Sequence, residues 1–130
     1  MAHPANLLKE LKMNKPNAHI NHWVFGVLHT SRCNKVAGLK GLLAVSEESL
    51  IFRSGSGAES HTLEAPLEEV KSIEADLQGT VHLIIHFTDG GHMEMSFVSR
   101  GNAKEFFEFL KTQSRASKEQ AIAVKKTELS

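Results

Sequence analysis

The apolar positions change their period once along the chain. Leu7, Leu8 and Leu11 fall at i, i+1 and i+4, one stripe that predicts a short helix over 4–13. Asn14-Lys15-Pro16-Asn17 ends it, because proline disfavours the helical conformation in the residue before it. Beyond this point the period is two. Trp23, Phe25 and Val27 alternate with His22, Val24 and Gly26, which predicts a strand over 21–29 with two moderately apolar faces. The polar stretch 30–35 reads as a loop. A second strand is expected over 36–45, with Gly38 and Gly41 signalling a bend or bulge. Ser46-Glu47-Glu48-Ser49 turns into a third strand, Leu50-Ile51-Phe52-Arg53, and Ser54-Gly55-Ser56-Gly57 is a further turn. Residues 59–63 form a weaker, more polar strand, and 66–70 a single helical turn leading into 71–74.

The register of the hairpin over 80–98 follows from its side chains. A two-residue Asp89-Gly90 loop would set Phe87 against His92 and Ile85 against Glu94. A three-residue loop, Asp89-Gly90-Gly91, pairs Phe87 with Met93, Ile85 with Met95 and Leu83 with Phe97. One face is then uniformly apolar, which is how register is normally fixed. The second glycine suits the left-handed position of such a loop.

A second helix starts near Asn102, a capping residue with Glu105 three positions on. Ala103, Phe106, Phe107 and Leu110 share its core face, with Phe109 flanking. The tail from Ser114 is polar, and Ser117-Lys118-Glu119-Gln120 can cap a short helix through Val124. An unbroken run of about seven strands predicts a mainly β protein with α. Its antiparallel sheet curls into a barrel or sandwich, capped by the C-terminal helix.

Composition narrows the function. At 130 residues the chain is one domain, and 41% hydrophobic with 23% charged residues excludes a disordered chain. Fifteen basic against fifteen acidic residues argue against a nucleic-acid binder. The single cysteine, Cys33, excludes an internal disulfide and fits the cytoplasm. The N-terminus has its lysines after its leucines, the reverse of a secretory signal. Charge is uneven: +5 over residues 1–40, −8 over 41–98 and +3 over 99–130. The acidic middle disfavours docking on a phosphate backbone.

The run Gly41-Leu-Leu-Ala-Val-Ser-Glu-Glu-Ser-Leu-Ile-Phe52, the proline-led Pro66-Leu-Glu-Glu-Val-Lys-Ser-Ile-Glu74 and the helix Ala103-Lys-Glu-Phe-Phe-Glu-Phe-Leu110 resemble the pleckstrin-homology (PH) superfamily, in particular its bacterial PH-like and GRAM-type domains. The resemblance spans 21–113. It implies a PH-like domain over 17–114, which leaves the N-terminal helix in 1–16 and the polar tail in 115–130. It also implies a binding module with no catalytic residues, no metal and no cofactor. GRAM-type sequences usually carry basic residues in the turn before "Leu-Ile-Phe", whereas here that turn holds Glu47 and Glu48.

Lipid-binding members typically hold headgroup phosphates at the loop between the first two strands. Carried onto this chain, that site offers Arg32, Lys35 and Lys40, with Arg53 across the sheet. Convergent Arg and Lys can share phosphate oxygens; the alternative is an ordinary solvated loop. His82 and His86 share a strand face with Glu94 and His92 in the expected register, and two imidazoles with a carboxylate can bind zinc. The alternative is a solvated outer face with a weak cross-strand His86–Glu94 pair. Cys33 lies beside Arg32 and Lys35, but no general base can be assigned to it. The first expectation is therefore a protein partner or a homo-oligomer, reached through a sheet edge or a terminal helix. The second is an anionic membrane surface. No nucleic acid is expected.

Overall fold

A computed structural model describes residues 4–14, 20, 22–31, 38–55, 61–78 and 80–115. Helix α1 (Pro4–Asn14) is followed by strands β1 (His22–Thr30), β2 (Lys40–Val45), β3 (Ser49–Ser54) and β4 (His61–Pro66). A 3-10 turn at Leu67–Glu69 leads into β5 (Val70–Asp76), β6 (His82–Phe87) and β7 (His92–Gly101). Helix α2 spans 103–115. The strands form one antiparallel sheet in the order β4-β3-β2-β1-β7-β6-β5. Seven antiparallel strands with a short N-terminal and a closing C-terminal helix are the expected architecture. The expected short helix through Val124 lies outside the described residues.

The sheet has two apolar faces along β1–β3. The inner face contributes Val24, Leu28, Leu43, Val45, Leu50 and Phe52 to the main core, where Phe106 and Leu110 of α2 meet them. The outer face carries Phe25, Leu42, Ala44 and Ile51, which pack under Leu7 and Leu11 of α1. The near-continuous apolar runs of β2 and β3 have this cause, because a strand covered on both faces has no polar alternate positions. α2 is capped as expected: Asn102 Oδ1 accepts the Glu105 N–H at 3.1 Å. Its far end is tied down by Gln113, whose amide donates to the Glu47 carbonyl at 3.1 Å.

The β6–β7 hairpin has a three-residue loop, but one residue earlier than expected. It runs 88–90, with Phe87 N–H bonded to Gly91 O at 2.9 Å and Gly90 in the left-handed region at φ 89°. Ile85 therefore faces Met93, and Leu83 faces Met95. Moving the loop by one shifts the pairing by two and keeps every side chain on its face. An apolar face alone cannot separate the two registers. His86 consequently lies opposite His92, not Glu94.

Phe97 also departs from expectation: it is left-handed at φ 52° and 67% exposed instead of facing Leu83. Between Phe25↔Arg100 and Val27↔Ser96, β7 holds three residues against the single Gly26 of β1. This bulge turns Phe97 outward and leaves Val98 packed on the core. Gly26 makes room for it, since a Cβ there would sit 2.6 Å from the Ser96 carbonyl oxygen. Adding a methyl should therefore harm more than removing a phenyl ring. Gly26→Ala is expected to lose about 2 kcal/mol. Phe97→Gly should hold its stability or gain up to about 1 kcal/mol, because glycine relieves the left-handed strain. Chemical denaturation of both variants checks this.

Candidate functional site

Two of the residues expected to bind an anion, Lys40 and Arg53, have other engagements. Lys40 opens β2 and is exposed, with its ammonium 5.4 Å from the centre of the Phe25 ring. Arg53 is only 9% exposed. Its Nε donates to Glu10 Oε2 at 3.1 Å and its Nη1 to Thr62 Oγ1 at 2.9 Å. Arg53 faces Leu42 across the sheet, on the side that α1 covers. The structure thus makes Arg53 a tie between α1, β3 and β4. One signal was in the sequence: Glu10 is the single acidic residue among residues 1–40. Arg32 and Lys35 lie outside the described residues.

At the end of the sheet opposite α2, a cavity of about 540 Å³ is lined by Ser31, Leu63, Asp89, Gly90 and Gly91. Its ionisable lining residue is an acid. Asp89 accepts the Gly91 N–H at 2.7 Å, which shapes the hairpin turn.

The histidine-bearing face is a set of cross-strand pairs. His86 Nε2 lies 3.0 Å from Glu74 on β5, and His82 Nε2 lies 3.5 Å from Glu94 on β7. The carboxylates are divided between different imidazoles. Among the described residues, no three His, Cys, Asp or Glu side chains are grouped to hold a metal ion.

A second cleft, of about 410 Å³, lies between β5 and the last turns of α2. Val70, Lys71, Ser72 and Ile73 line it from the strand, and Lys111, Ser114 and Arg115 from the helix. Among the described residues, the charged members of this lining are Lys71, Lys111 and Arg115, all basic. Ser114 is buried, and its hydroxyl donates to the Lys111 carbonyl at 3.2 Å, which fixes that wall. Among the described residues, β5 ends the sheet order and pairs with β6 only, and the cleft borders it. Sequence reasoning missed the site, although two signals point to it. Lys111 and Arg115 are spaced i, i+4 on one helix face, and Lys71 is one of two basic residues over 41–98.

The model of the GRAM domain family matches residues 8–118. Among solved structures, the pleckstrin homology (PH) domain of USP37 is similar, with a TM-score of 0.55 and 15% identity. The match covers 72% of this chain and 97% of that one, and at this identity it concerns the fold alone. No curated protein sequence matches the chain.

The two described cations of the expected anion site should differ sharply in their effect on stability. Arg53→Met removes two hydrogen bonds and is expected to cost about 1–2 kcal/mol. Lys40→Ala, at an exposed position, should stay within about 0.5 kcal/mol of the parent. Urea midpoints of both variants provide the check.

Proposed function

This chain belongs to the GRAM domain family, and from that premise we propose that it is a non-enzymatic interaction module that holds another protein or a second copy of itself. The open edge of β5 beside the α2 cleft carries this reading. An edge strand presents a row of N–H and C=O groups that another chain can pair with. Here that row stands next to a preformed wall, Lys111 to Arg115 of α2. The reading includes a cytoplasmic location, which a lone Cys33 suits. No helix of the described residues is long and apolar enough to cross a membrane.

The alternative is an anionic membrane surface, bound through Arg32, Lys35 and Lys40. Two observations weigh against it. The Arg53 guanidinium is held by Glu10 and Thr62. The β2–β3 turn, where GRAM-type sequences usually carry basic residues, exposes Glu47 and Glu48.

A photoreactive residue placed at Lys111 in the full chain tests the proposal. It is expected to capture a protein partner or a second copy in cells, while the same residue at Lys9 on α1 does not. Light scattering over a concentration series identifies self-association. Adducts absent at position 111, together with anionic-liposome binding that Arg32→Ala with Lys35→Ala abolishes, would make this a membrane module instead.

A further inference from the structure

We propose that His86 and His92 together chelate one borderline divalent transition ion, zinc being the reference case, with Glu74 as the residue that orients the His86 ring. This goes beyond the interaction-module reading and does not rest on it.

The backbone sets the pair. His86 and His92 are direct cross-strand partners on β6 and β7, and both are half-buried. Partners along an antiparallel ladder alternate between hydrogen-bonded and non-hydrogen-bonded pairs. Phe87 and Gly91 are of the first kind, with the Phe87 N–H bonded to Gly91 O at 2.9 Å. The next pair, His86 with His92, is therefore of the second kind. In such a pair the Cα atoms stand about 4.5 Å apart and the side chains, on one face, are closest. The main chain of His92 agrees, since it points away from β6 toward β1. Its N–H donates to Ser31 Oγ at 3.1 Å. Its carbonyl accepts the Ser31 N–H at 3.3 Å and the Thr30 hydroxyl at 2.7 Å. These three bonds hold the strand beneath one of the two imidazoles.

Chemistry then selects the ion. Imidazole nitrogen suits zinc, copper and nickel, whereas magnesium and calcium take oxygen ligands. A tetrahedral zinc holds its nitrogens at roughly 2.0–2.1 Å, which sets them roughly 3.4 Å from each other. Two rings rooted on neighbouring strands reach that separation by side-chain rotation. The histidines fill two positions and water the others, so the site needs no third protein ligand. Glu94, two residues along β7, lies 3.5 Å from His82 and is not counted as one. His86 is also prepared for ligation. Its Nε2 lies 3.0 Å from Glu74 Oε2. An ionised carboxylate only accepts, so the ring proton sits on Nε2 and the Nδ1 lone pair is left for the ion. A carboxylate behind the ring fixes the tautomer and raises the basicity of the ligating nitrogen.

NMR of the histidine rings, on the isotope-labelled full chain without an affinity tag, tests the site by titration with zinc chloride. The ring nitrogens of His86 and His92 are expected to shift together, with one shared dissociation constant. Once one imidazole holds the ion, capture by the second is intramolecular, so each ring depends on the other. His86→Gln should therefore weaken zinc binding at His92 at least about tenfold, and His92→Gln should do the same at His86. Glu74→Gln is expected to weaken the pair about tenfold. Magnesium chloride should shift neither ring. Unchanged backbone amide signals away from the hairpin establish that the variants stay folded. Separate constants for the two rings, or a His92 affinity that survives His86→Gln, overturns the chelate. Undiminished affinity in Glu74→Gln overturns the orienting role of that carboxylate. Rings that do not shift at millimolar zinc remove the site.

Discussion

Coverage of β2 and β3 on both faces is the constraint on which the rest of the structure depends. Leu43, Val45, Leu50 and Phe52 need the main core, and Leu42, Ala44 and Ile51 need a second cover on the opposite side. α1 supplies that cover through Leu7 and Leu11, each 1% exposed. Burying a leucine fully contributes roughly 1.5–3 kcal/mol, so two of them offset the nucleation cost of an eleven-residue helix that would be marginal in isolation. The Arg53–Glu10 bond follows from this docking, because α1 brings Glu10 over the outer face of β3. A basic residue that would otherwise stand on an open sheet face is thereby drawn into the fold.

Coverage is unequal across the sheet. α1 packs over the β1–β3 side and α2 closes one end of the inner core. The β5–β6 side keeps an outer face of exposed and half-buried polar residues, where His82, His86, Glu74 and Glu94 pair across strands. β5 combines a free edge, a half-exposed outer face and a basic cleft. A strand with those properties is where main-chain pairing with a partner costs the least rearrangement.

Much of the fold was legible because it rests on local patterns. The α1 stripe, the Asn102 cap, the Phe106/Leu110 core face and the 3-10 turn after Pro66 depend on neighbours within a few residues. The hairpin register was legible only modulo two, because parity is all that an apolar face reports. Phe97 was misread since its outward turn comes from three β7 residues meeting a single glycine of β1, a pairing over seventy positions away in sequence. The tie between Arg53 and Glu10 was not legible for a similar reason, as the two lie forty-three positions apart. The β5–α2 cleft joins two elements whose basic residues are ordinary surface positions when each element is considered alone.

Native-state amide hydrogen exchange, followed residue by residue on the free chain, tests the central claim most directly. If β5 is an open edge and β2–β3 a doubly covered centre, amides of Leu43, Ala44, Ile51 and Phe52 exchange only through global unfolding. Those β5 amides that do not pair with β6 then exchange orders of magnitude faster, by local exposure. Uniformly slow exchange throughout β5, at the level of β2 and β3, would contradict the account, since the edge proposed to receive a partner would then already be closed.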